Sequence, residues 1–149
     1  MDFQFKKSNE QTFFKLLPEE WKESIVPFWE YYRDSSVIYA LYQENQLIAG
    51  GIIFNKCSPD MMYNEIEAKK WFNKGYLYLG FIWVVEEFRD NKIGSKWLQS
   101  LKDKFPTQKF WLTIDEENLA LFYIKNGFKL ITTLKNEHDT EWLLTYEPS

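Results

Sequence analysis

The chain has 149 residues, the size of one ordinary domain, and its 45% hydrophobic and 19% aromatic content belongs to a packed interior rather than a disordered chain. A formal charge of −4 and a pI near 5.1 oppose a nucleic-acid partner, whose usual footprint is a basic face. The single cysteine, Cys57, and single histidine, His138, exclude an internal disulfide, carry no zinc signature, and leave a thiol nucleophile without a nearby imidazole.

The opening Met1–Lys7 lacks a signal-type apolar stretch, and the longest apolar runs, Leu47–Phe54 and Leu79–Val85, fall far short of the roughly 18 residues of a membrane span. The expectation is a cytoplasmic chain with no membrane partner. Lys6-Lys7 and Lys69-Lys70 read as solvated surface. Residues 1–149, without repeat or linker, read as one domain.

In chain order, Phe3–Lys6 reads as a short strand and Asn9–Leu17 as a short helix. Pro18-Glu19-Glu20 opens a second helix, since proline suits a first turn and acids favour the N-terminal dipole. Trp21, Ile25, Phe28, Trp29 and Tyr32 follow at helical spacing, with Pro27 placed to kink it. Val37–Gln43 and Leu47–Asn55 form a hairpin around Glu44-Asn45-Gln46. Lys56–Gly75 is a polar excursion whose part from Asn64 to Asn73 suits a helix. Tyr76–Val85 is apolar on both faces, as a covered central strand should be, and Gly80 within it hints at a bulge. Lys92–Phe105 is a helix, Lys109–Ile114 a strand, and Glu117–Asn126 a helix ended by Gly127 in the C′ role. Phe128–Leu134 and Glu141–Tyr146 make a last hairpin around Lys135–Thr140.

Strand 76–85, helix, strand 109–114 is a parallel unit whose crossover should be right-handed. Ligands in such sheets sit beyond the carboxyl ends of the strands, here Val84-Val85 and Ile114-Asp115. The turn Val85–Ser95 leads from that end directly into a helix, whose first N–H groups lack internal partners and attract anions. Gly94 permits close backbone approach, and Arg89, Lys92 and Lys96 add positive charge. Neither the Walker pattern nor Gly-x-Gly-x-x-Gly is present.

Val84–Leu98 followed by Asn118–Phe128 resembles the GNAT superfamily of acetyl-coenzyme A-dependent N-acetyltransferases. The family pattern Gln/Arg-x-x-Gly-x-Gly/Ala is met by Arg89-x-x-Lys92-x-Gly94, with Lys92 in place of the first glycine. Its later Tyr-x-x-x-Gly-Phe is met in full by Tyr123–Phe128. Asn118 lies nearer Tyr123 than in the family, and Leu119 stands where alanine is common. The resemblance implies a mixed α/β fold: a mostly antiparallel sheet of about seven strands, one parallel unit at 76–114, and helices on both faces.

It further implies acetyl-coenzyme A as co-substrate, with no metal. Backbone groups of Trp83 and Val85, beside Val84, would pair with the pantetheine arm, and amides of Arg89, Asp90, Asn91, Lys92, Ile93, Gly94 and Ser95 would hold the pyrophosphate. Asn118 and Tyr123 would complete the cofactor site, Asp90 pointing outward or capping the helix. Tyr123 would protonate the leaving thiolate. Strand 76–85 carries no acid, so Glu116 is the positional candidate for the base, with Glu65, Glu67 or a water chain as others. The second helix and the 56–75 excursion would hold a small-molecule or peptide amine, with Trp29, Tyr31, Tyr32, Trp71 and Phe72 as candidate walls that fit a cationic or aromatic amine. A monomer or homodimer is expected. Three readings stand: an active N-acetyltransferase, a non-catalytic acyl-coenzyme A-binding or sensor domain, and a relative in fold only that serves protein contacts.

Overall fold

The computed structural model describes residues 2–89, 92–136 and 139–149, so the expectations for Asp90, Asn91 and His138 lie outside the described residues. The strands are β1 (Phe3–Lys7), β2 (Ser36–Gln43), β3 (Gln46–Phe54), β4 (Tyr76–Val84), β5 (Lys109–Ile114), β6 (Lys129–Asn136) and β7 (Asp139–Tyr146). The helices are α1 (Glu10–Leu16), α2 (Glu19–Ile25), α3 (Trp29–Tyr32), α4 (Glu65–Asn73), α5 (Ile93–Lys104) and α6 (Leu119–Lys125). The strands form one sheet in the order β1-β2-β3-β4-β5-β7-β6, antiparallel throughout except for β4 beside β5.

Local chemistry sets most boundaries. Asn9 caps α1 by accepting the Thr12 N–H at 2.7 Å. Pro27 does more than kink the second helix. It cannot donate to a preceding carbonyl, so α2 ends at Ile25, a 3-10 turn spans Val26–Phe28, and α3 starts afresh. The first hairpin closes on two residues rather than three, Glu44 (φ 51°) and Asn45 (φ 68°), the left-handed pair that matches strand twist. The excursion begins with a 3-10 turn over Pro59–Asn64 and continues into α4, capped by Asn64.

The sheet separates two apolar layers. On one face Phe13, Ile25, Trp29, Tyr32, Met61 and Trp71, from the first four helices and the 3-10 turn, pack against Ile52, Phe54, Tyr78 and Trp111. On the other, Ile93, Trp97, Leu98 and Leu101 of α5 and Ala120 and Tyr123 of α6 pack against Leu79, Phe110, Leu112 and Ile114. Helices thus cover both faces of β4 and β5, and the region beyond their carboxyl ends is framed on each side.

Two irregularities shape that region. Gly50 pairs with Trp83 and Ile52 with Gly80, so the single residue Gly51 faces both Phe81 and Ile82. This is a β-bulge, and Phe81 takes the left-handed φ of 56° to make it. In addition, β4 and β5 pair only at Tyr76–Lys109, Leu77–Phe110 and Tyr78–Trp111, after which they diverge.

Candidate active site

The divergence of β4 and β5 opens a cleft of about 320 Å³. Leu79–Ile82 form one wall and Leu112–Asp115 the other. Leu119 and Tyr123 of α6 close it from one face, and Trp21, Ser24 and Asp60 from the opposite one, while Glu141 reaches in from β7.

The bulge decides which backbone groups face the cleft. The Val85 N–H donates to the Ile48 carbonyl at 2.8 Å, so it is turned toward β3. Alternation along the strand turns Trp83 the same way and leaves Ile82 and Val84 on the diverging edge. Of the residues expected beside the pantetheine arm, Trp83 and Val85 are thus turned toward β3 and Val84 toward the diverging edge. Arg89 Nε donates to the Val84 carbonyl at 3.1 Å, and its guanidinium lies 4.3 Å from the centre of the Trp83 ring.

At the start of α5, Lys92 occupies the left-handed conformation (φ 60°, ψ 23°) and accepts the Lys96 N–H at 3.0 Å. No side chain of the cap position covers the first turn. The amides of Ile93, Gly94 and Ser95 precede the first helix bond, the arrangement in which helix N-termini receive anions. Gly94 also packs against α6. A Cβ there would lie 2.9 Å from Cζ of Phe122, so its bareness admits a ring of α6. Ser95 Oγ accepts a hydrogen bond from Asn126 Nδ2 at 3.1 Å, a second tie between the helices.

The Tyr123–Phe128 segment has a local explanation. Gly127 (φ 92°) donates to the Ile124 carbonyl and Phe128 N–H to the Tyr123 carbonyl at 3.0 Å, the paired bonds of a Schellman ending. The Tyr123 and Phe128 rings pack edge to face at 5.6 Å, supplying its hydrophobic contact. This fixes Tyr123 on the cleft wall. Burial pushes its phenol up to about 12, so it stays protonated at neutral pH. Asn118 precedes α6, exposed and without a capping hydrogen bond.

The acids sort differently from expectation. Glu116 is exposed on the turn after β5 and does not line the cleft. Glu67 accepts the Trp71 indole N–H at 2.8 Å and pairs with Lys70. Asp60 and Glu141, which sequence reasoning missed, do line it. Asp60 accepts hydrogen bonds from Ser58 Oγ at 2.5 Å and from the Tyr78 hydroxyl at 2.7 Å; burial raises its pKa, and these two hydrogen bonds work against that rise. Glu141 accepts the Tyr63 hydroxyl and is likewise raised, first by burial. Burial also lifts Cys57 to about 11, which leaves it an unreactive thiol. Among the described residues no group of three His, Cys, Asp or Glu stands ready for a metal. No helix among them is long and apolar enough to cross a membrane.

A second cavity, of about 860 Å³, lies between the 3-10 turn and α3 on one side and residues 55–73 on the other. Of the expected walls, Tyr31, Tyr32 and Phe72 line it, whereas Trp29 and Trp71 are buried in the core. The Lys56 ammonium rests 3.6 Å from the Tyr31 ring centre and 5.2 Å from that of Tyr32. Ser24 and Asp60 line both cavities.

Solved structures share this architecture. The ribosomal-protein-S18-alanine N-acetyltransferase of Escherichia coli superposes with a TM-score of 0.69 at 14% identity, covering 99% of this chain and 95% of its own. The PaiA N-acetyltransferase of Thermoplasma acidophilum, in complex with coenzyme A, gives 0.60 at 15% identity and covers 99% of each chain. An aminoglycoside 6'-N-acetyltransferase complexed with coenzyme A gives 0.68 at 14%, covering 97% and 96%. At such identities the likeness is one of fold. No curated protein matches by sequence. The model of the acetyltransferase (GNAT) family matches residues 4–128, and the chain belongs to that family.

Proposed function

We propose that the protein moves an acetyl group from acetyl-coenzyme A to a primary amine of a small molecule or peptide, by direct attack in a ternary complex. The observation that carries this reading is the divergence of β4 from β5 beside Tyr123, which opens a cleft walled by a protonated phenol, with the first turn of α5, left uncovered by the Lys92 side chain, following β4 in the chain. Val84 offers its backbone edge to the pantetheine arm, the amides of Ile93–Ser95 take the pyrophosphate, and Arg89 and Lys92 add charge at the mouth. The cofactor supplies an activated acetyl thioester. Tyr123 then serves as the acid, giving its proton to the departing thiolate. The second cavity joins the aromatic rings of Tyr31, Tyr32 and Phe72 to the acids Glu23, Asp60 and Glu65, a lining that suits a cationic acceptor.

A non-catalytic acyl-coenzyme A-binding role has one observation in its favour, the lack of any acid on β4. Thiol release from acetyl-coenzyme A, measured against a panel of polyamines, aminoglycosides, amino acids and peptides, separates the two. Turnover with at least one amine is expected, and Tyr123→Phe should lower it by about 10²-fold or more, the usual size of a general-acid contribution. Cofactor binding by calorimetry without turnover on any amine would favour the sensor role. Absence of binding heat would remove both.

A further inference from the structure

The carboxylate absent from β4 reaches the cleft from another element. Asp60 sits in the second position of the 3-10 turn Pro59–Asn64, with Pro59 setting the turn. That turn is anchored beneath by Met61, fully buried in the core. The Asp60 carboxylate is thereby brought against the Tyr78 hydroxyl, which itself lies 3.1 Å from Thr113 Oγ1 on β5. The carboxylate is deep within the protein, yet the residue keeps an open face onto the cavities. With Ser24 it lines both the cleft and the second cavity. An acceptor nitrogen held between the two cavities would lie beside Asp60.

We propose that Asp60 is the general base of the reaction, held in place by Ser58 and Tyr78. This rests on the transferase reading above. One proton of the acceptor ammonium goes to Asp60 and from there to solvent. The freed lone pair forms the C–N bond, and the C–S bond breaks. The thiolate takes the phenol proton of Tyr123, and the second proton given up by nitrogen as the amide forms restores that phenol. Atoms and charge balance as ammonium plus thioester giving amide, thiol and one released proton.

The titratable groups facing Asp60 are Tyr32 of α3, Cys57 and Tyr63 of the excursion, Tyr78 of β4 and Glu141 of β7. Glu141 is the carboxyl among them and serves as the control, while Asp115 also lines the cleft and Glu23 and Glu65 the second cavity. The experiment is kcat/KM against pH for wild type, Asp60→Asn, Asp60→Glu, Tyr78→Phe and Glu141→Gln, with the best amine of the panel and with acetyl-coenzyme A affinity measured alongside by calorimetry. Asp60→Asn should lose about 10²–10³-fold in kcat/KM and its acidic limb, at unchanged cofactor affinity. Asp60→Glu should recover part of the rate and the limb. Tyr78→Phe removes a donor to the carboxylate and should move the limb to higher pH. Glu141→Gln should keep it. If Asp60→Asn retains wild-type turnover and limb, or if Glu141→Gln abolishes the limb, Asp60 is not the base while the transferase reading stands. A wild-type chain that acetylates no amine overturns both.

Discussion

Lys92 is where the sequence departs most from its family and where the backbone asks most of it. A left-handed φ of 60° brings Cβ close to the following carbonyl, at a cost of about 1 kcal/mol for a residue other than glycine. The side chain is exposed, so its removal sacrifices no packing. Lys92→Gly should stabilise the protein by about 1 kcal/mol and raise Tm by roughly 2–4 °C, whereas Lys92→Ala, with its Cβ intact, should leave Tm near wild type. Thermal unfolding without ligand reads both. The positions of Tyr123 and of the anion-receiving turn were legible because they rest on short-range chemistry: a Schellman ending written in six consecutive residues, and a strand followed at once by a helix. Asp60 was not legible as a partner of Tyr78, because 18 residues separate them and only the packing of the 3-10 turn joins them. The nearness of Glu116 in sequence to the end of β5 says nothing about where a side chain on a turn points.

At the scale of elements, periodicity located the strands and the long helix to within a residue or two, because most of them bury apolar residues at a regular spacing. What it could not give was phase. A bulge at Phe81–Ile82 rotates every later residue of β4, and the hint from Gly80 did not say which residue would be inserted. Helix-to-helix contacts were equally hidden, since nothing local in the sequence says that Gly94 admits the Phe122 ring. Gly94→Ala should therefore be destabilising, by about 1 kcal/mol, because the ring is partly exposed and has space to swing away. Phe122→Ala should remove most of that penalty when combined with it. A double-mutant cycle in urea measures the coupling, and additive effects of the two substitutions would show that the helices do not meet at this point.

The whole molecule converges on one acidic centre. Asp60 comes from the excursion between β3 and β4, Glu141 from β7, and the tyrosines that hold them from β4 and the 3-10 turn, so sheet and helical layer together confine two carboxylates near each other. Burial raises Glu141, and the negative charges of Asp60, Asp115 and Asp139 add to it. A carboxylate whose folded pKa lies above its unfolded value favours the native state while both are protonated. That contribution is fully present below the unfolded value and is lost as pH rises through the folded one. Glu141→Gln has no such loss and retains an oxygen to accept the Tyr63 hydroxyl. Relative to wild type, it should thus gain stability between pH 4 and pH 7, seen as a difference in urea midpoint that widens toward neutrality at an unchanged m-value. The half-buried Glu10, lowered by its hydrogen bond to Arg33, has the opposite sign and supports the fold above its unfolded pKa. Because Glu10→Gln should therefore lose stability relative to wild type over the same interval, the two variants bracket the effect. A Glu141→Gln difference that is flat in pH would mean that the carboxylates are not held together in the cleft, and would remove the electrostatic setting in which Asp60 is assigned its proton.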